Sequence, residues 1–122
     1  MGKRILLIED EDDMVAAITF RLEDAGYTII TASDGMEGLD KARSENPDLI
    51  ILYLMLPRMN GYKVCAALKA DEKYKKIPIL VLSAKAQEAD RKMSKDAGAD
   101  IYMSKPFEAQ DLMTNIKNLI KE

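Results

Sequence analysis

Five short runs, rich in apolar residues and without a regular polar alternation, punctuate this chain: Arg4 to Ile8, Thr28 to Ala32, Leu49 to Tyr53, Ile79 to Ser83 and Ile101 to Ser104. A strand with one wet face alternates apolar and polar residues, whereas a strand covered on both faces does not. Between the runs lie longer segments with apolar residues at helical spacing. Val15, Ile18, Leu22 and Ala25 mark the inner face of a first helix, and Gly26 stops it. Met36, Leu39 and Ala42 mark a second helix that ends before Asn46-Pro47, and Val64, Cys65 and Leu68 mark a third. Residues 86 to 97 predict a fourth, with Ala86, Ala89, Met93 and Ala97 inward and Gly98 as its stop. Leu112, Met113, Ile116, Leu119 and Ile120 mark the last. Buried strands alternating with helices predict an α/β fold, a parallel sheet covered on both faces and wound by right-handed crossovers.

The remaining composition narrows the function. A chain of 122 residues, 48% apolar, suits one domain spanning residues 1–122, large enough to hold a core without metal or disulfide. Its single cysteine, Cys65, has no internal partner, no signal-peptide pattern opens the chain, and a cytoplasmic location is expected. No apolar run nears the ~20 residues that span a bilayer, so no membrane role is expected. With 21 acidic against 18 basic residues, direct nucleic-acid binding is not expected and a protein partner is. The absence of histidine excludes Ser-His-Asp and Cys-His catalysis and histidine-ligated zinc.

In a parallel sheet of this kind the loops after the strands open on one edge, where distant residues converge. Glu9 and Asp10 follow the first run, Tyr53 ends the third, Ser83 and Ala84 end the fourth, and Lys105-Pro106 follows the fifth. Singly, Ser83 reads as a turn hydroxyl, Lys105 as a solvated charge, and Asp12 and Asp13 as acids at a helix start. Together, two carboxylates, a hydroxyl and a lysine suit a hard divalent cation and an anionic oxygen cluster such as a phosphoryl group.

The segments "ILLIEDE", "PDLIILYLMLPRMNG", "IPILVLSAKA" and "GADIYMSKPF" resemble, in order, the signatures of the response-regulator receiver domain of two-component signalling, including its chemotaxis regulators. The resemblance covers essentially the whole chain. It implies a flavodoxin-like, doubly wound, five-stranded parallel sheet of order 2-1-3-4-5 with five helices. It implies transfer of a phosphoryl group from a sensor histidine kinase to an aspartate, followed by altered contacts with a downstream protein or output domain. By the same resemblance Glu9, Asp10 and the Met55 carbonyl match Mg²⁺ ligands. Ser83, Ala84 and Lys105 match phosphoryl contacts, Ser83 and Tyr102 match switch residues, and Lys105-Pro106 matches a cis peptide bond.

One position departs from that pattern. Where the family's "LDLMLP" carries the phospho-accepting aspartate, this chain reads "LYLMLP" with Tyr53. A phenol, with an ordinary pKa near ~10, offers neither the nucleophile nor the anionic metal ligand that a carboxylate supplies. The expectation is therefore a non-enzymatic receiver with phosphorylation disabled and Mg²⁺ weakly held. It acts through the face formed by the fourth helix, fifth strand and fifth helix. Because the other site residues remain, the reading favours a recent or introduced change at Tyr53 over a natural phosphorylation-independent receiver. A haloacid-dehalogenase-like phosphatase is a weaker alternative, since Glu9-x-Glu11 and Asp10-x-Asp12 match its D-x-D motif poorly and the chain leaves no room for a cap.

Overall fold

The computed structural model describes residues 2–54, 56, 59–84, 88–104 and 107–121. Strands β1 (Arg4–Ile8), β2 (Thr28–Ala32), β3 (Leu49–Tyr53), β4 (Ile79–Ser83) and β5 (Ile101–Ser104) alternate with helices α1 (Asp12–Asp24), α2 (Gly35–Glu45), α3 (Gly61–Lys69), α4 (Glu88–Asp96) and α5 (Ala109–Ile120). All strand pairs are parallel, in the order β2-β1-β3-β4-β5. The ends of β1, β2, β4 and β5 fall where the apolar run gives way to charged or small residues, whereas β3 ends at Tyr53 although the buried Leu54 follows it.

Alternate residues of the central strands point to opposite faces, and each face has its own core. Leu6, Ile8, Ile50, Leu52 and Val81 pack with Leu39 and Ala42 of α2 and Val64, Cys65 and Leu68 of α3, with Ala97 and Tyr102 at the margin. Ile5, Leu7, Leu49, Ile51, Leu80 and Leu82 pack with Ile18 and Leu22 of α1 and Leu112 and Ile116 of α5. Gly26 and Gly98 follow α1 and α4 with φ of +98° and +104°, backbone conformations that suit glycine and end a helix. Two side-chain caps fix helix starts: Asp34 accepts the Glu37 N–H at 2.8 Å and Asn60 accepts the Lys63 N–H at 3.0 Å.

Three expected core positions are corrected. Ala25 is the exposed C-cap of α1, one residue too late to share its buried stripe. Met36 is 39% exposed in the first turn of α2, where Gly35 and Leu39 face inward instead. Met93 of α4 is 52% exposed, while Ser94 is 1% exposed. The inward side of α4 thus runs through Asp90 and Ser94, one position from the expected Ala89 and Met93, while Ala97, just past the helix, packs against the core as expected. Ala86 and the side chain of Ala89 lie outside the described residues.

Candidate functional site at the carboxyl edge of the sheet

The site is built from strand ends. The Glu9 N–H donates to the Ala32 carbonyl at 3.0 Å, carrying the β1–β2 ladder one residue past Ile8. This holds Glu9 at the sheet edge with only 2% of its surface exposed. Its Oε2 accepts the N–H groups of Asp10 at 3.0 Å and Glu11 at 3.2 Å, so the carboxylate shapes the turn into α1. Asp10, next in the chain, is exposed.

Tyr53 ends β3, half-buried and paired in register with Leu82. Since Ile8 pairs with Leu52, Glu9 and Tyr53 occupy the next positions on adjacent strands. Ser83 ends β4, fully buried and in register with Ser104, while Ala84 beyond it is exposed. The structure therefore brings Glu9, Asp10, Tyr53 and Ser83 to one edge of three neighbouring strands. Met55, Lys105 and Pro106, which carry the expected carbonyl ligand, phosphoryl contact and cis peptide, lie outside the described residues.

Tyr102 stands apart from this edge, in register with Val81 on the α3–α4 side of the sheet. It is half-buried, and the Arg91 guanidinium of α4 lies over its ring, with the guanidinium carbon 4.9 Å from the centroid. Such a cation–π contact orients both groups. On α3, the Tyr62 hydroxyl donates to Asp90 Oδ1 at a long 3.4 Å. Burial raises the Tyr62 pKa above its ordinary 10.0, and the nearby Asp90 charge adds to the shift. Neither Arg91 nor Asp90 was singled out from sequence; a charged pair in a short helix reads as solvated until the neighbouring aromatic residues are placed.

The donors test how well Mg²⁺ would be served. Mg²⁺ prefers hard oxygen ligands in octahedral array, and Glu9 and Asp10 are of that type. Among the described residues, however, no group of three or more carboxylate, thiol or imidazole side chains converges as a metal site. The donor type fits the cation, and Glu9 and Asp10 are the carboxylates the site offers it. Cys65 adds no reactivity, because burial pushes its thiol up to about 11 and leaves it a packing residue of α3.

A doubly wound sheet of this order, with an acid pair after the first strand and a buried serine ending the fourth, defines a signalling domain of the receiver type. The model of the response regulator receiver domain matches residues 5–117, and the chain belongs to that family. It is 42% identical over 121 residues to the alkaline phosphatase synthesis transcriptional regulatory protein PhoP of Bacillus subtilis, covering 99% of this chain and 50% of that protein. The chain thus spans about half the length of the curated relatives it matches. A response-regulator structure from Chloroflexus aurantiacus superposes with a TM-score of 0.94 at 30% identity, over 100% of both chains. The receiver domain of a sensor histidine kinase from Pseudomonas aeruginosa, solved with magnesium in its active-site cleft, superposes at 0.92 with 30% identity over 100% of both chains. The family match sets aside the phosphatase alternative. No helix among the described residues is long and apolar enough to cross a membrane.

Proposed function

We propose that this receiver domain works in two-component signalling through protein contacts made by α4, β5 and α5, and that Tyr53 disables the phosphoryl transfer for which the rest of the site is suited. The observation that carries the reading is the half-buried Tyr53 at the end of β3, beside the position of Glu9. A phosphoryl acceptor there needs a nucleophilic carboxylate oxygen, and a neutral phenol is a poor substitute. The domain is then not an enzyme but a cytoplasmic contact module, served by a sensor histidine kinase and a downstream protein or output domain.

Mg²⁺ belongs to this reading as a weak ligand of Glu9, Asp10 and the Met55 carbonyl, supplying charge neutralisation for incoming phosphoryl oxygens. Ser83, Ala84 and Lys105 are assigned the phosphoryl contacts and Tyr102 the switch. Incubation with acetyl phosphate and Mg²⁺, read by intact-mass spectrometry, should give no acid-labile adduct on the parent and one on Tyr53→Asp. A phosphate-mass adduct on the parent chain defeats the proposal. In a calorimetric titration Tyr53→Asp should bind Mg²⁺ at least ~10-fold more tightly, about 1.4 kcal/mol for one added anionic ligand. Equal affinities would show that position 53 does not contribute to the cation site.

A further inference from the structure

We propose that the groove between α1 and α5 is a binding site for a medium-chain fatty carboxylate, whose head pairs with Arg21 while its tail lies between the two helices. From α1 the groove takes Met14, Ala17, Ile18 and Arg21, positions i, i+3, i+4 and i+7 of one helical stripe. Phe107, before α5, and Ala109 and Leu112, at its start, line the other side. The volume is about 530 Å³, within the ~300–1,000 Å³ range of small-molecule sites.

The groove stays open because alanines stand where larger side chains would close it. Ile18 and Leu112, exposed by 5% and 2%, form its floor and belong to the core beneath. Met14 and Phe107 are half-buried walls, whereas the side chains of Ala17 and Ala109 end at Cβ. Apolar surface left open in this way is unfavourable in water, and an apolar tail laid along it removes that surface from water. The stripe from Met14 to Arg21 runs about 10 Å along the helix, which suits a medium-chain tail better than a long one.

Six of the seven lining residues are apolar, and the seventh selects the head group. Arg21 is exposed, and among the described residues it forms no ion pair, whereas Arg4 pairs with Glu45 at 2.6 Å and Lys41 with Glu37 at 3.2 Å. A guanidinium presents two parallel N–H donors to a carboxylate, a match that an alcohol cannot make. A phosphate monoester fits less well. It would bring almost two negative charges to one guanidinium, on helices that also carry Asp24 and Asp111.

The test is an NMR titration of the isotopically labelled chain with decanoate, held below its micelle-forming concentration, alongside decanol and acetate. Decanoate should shift Ala17, Ile18, Arg21 and Leu112 to saturation, decanol should bind the same residues at least ~10-fold more weakly, and acetate should not bind. Arg21→Gln should weaken decanoate at least ~10-fold and leave decanol unchanged. Ala17→Leu, at an exposed helical position that accepts leucine, should fill the groove and remove binding of both. Lys117→Gln, on α5 and outside the groove, should bind as the parent does. Shifts centred elsewhere, or insensitive to either groove substitution, overturn the proposal. So does equal binding of decanol and decanoate, which would leave an apolar groove without a carboxylate site. Concentration-dependent shifts at these residues without ligand would make a second copy the occupant, through the neighbouring Phe20, which is 76% exposed, and would overturn it too. Tighter binding of a leucine-rich peptide at the same residues would do the same.

Discussion

Helices α4 and α5 flank β5 on opposite faces of the sheet and are held by different kinds of force. From α5, Leu112 and Ile116 are buried at 2% and 0% exposure, and Met113, Leu119 and Ile120 pack around them. From α4, the buried side chain among the described residues is Ser94, and the large apolar Met93 faces solvent. Burying a leucine or isoleucine contributes about 1.5–3 kcal/mol. The ties that α4 has in addition are smaller: a hydrogen bond, worth about 0.5–1.5 kcal/mol at good geometry and less at the observed length, and an exposed cation–π contact of about 0.5–1 kcal/mol. A helix held this way separates from the sheet at lower free-energy cost than one held by aliphatic burial. The difference teaches that how firmly each helix is seated follows from which residues point inward, since both helices have regular backbone.

The sharpest way to break the comparison is to truncate one apolar side chain on each helix. Ile116→Ala should lower unfolding free energy by about 3 kcal/mol in urea melts, and Met93→Ala by no more than about 0.5 kcal/mol. Similar losses would mean that α4 is held apolarly after all. A smaller effect tests the tie between α3 and α4. Tyr62→Phe should cost up to about 1 kcal/mol near neutral pH by removing the donor to Asp90. Because burial, reinforced by the Asp90 charge, raises the Tyr62 pKa above 10.0, the protonated phenol is favoured in the folded state. Its contribution is complete below the unfolded pKa and is lost as pH rises through the folded one. The stability gap between parent and Tyr62→Phe should therefore shrink in strongly alkaline buffer, as paired melts across that range will show. A gap that stays constant to high pH would separate the phenol's titration from α4. The smallest effect is at Ser94, whose buried hydroxyl meets no partner of good hydrogen-bond geometry among the described residues, although the Tyr62 hydroxyl is close enough for Ser94 to oppose the rise of its pKa. Ser94→Ala should change stability by less than about 1 kcal/mol, in either direction, because no well-formed hydrogen bond is broken. A larger loss in the same melts would show that the hydroxyl is satisfied in solution and that α4 is held more firmly than its contacts suggest.

Much of the site was legible in the sequence, because its framework is a set of strand ends. Glu9, Tyr53 and Ser83 each terminate or follow an apolar run, and parallel pairing places such ends on one edge. Less legible were interactions that depend on helix phase. With only Ala89 and Met93 as apolar residues of α4, a rotation of one position changes little in apolar area, so Met93 and Ser94 exchange inside and outside at small cost. The turn-shaping role of Glu9 was hidden for a related reason. A carboxylate beside other acids suggests a cation, and only the backbone path shows that Oε2 accepts the Asp10 and Glu11 N–H groups.

By itself the sequence determined the five strands, the burial on both faces of the central three, β1, β3 and β4, though not the partial exposure of the edge strands β2 and β5, and the chemical types gathered at the carboxyl edge. These depend on local apolar patterning and on turn residues, which act over a few neighbouring positions. Tertiary structure decided which side of α4 faces inward, the seating of Arg91 on Tyr102 and the engagement of Asp100 by Lys69. Those contacts join residues far apart in the chain, and their energies of about a kilocalorie each become decisive only after the hydrophobic core has fixed the elements that carry them.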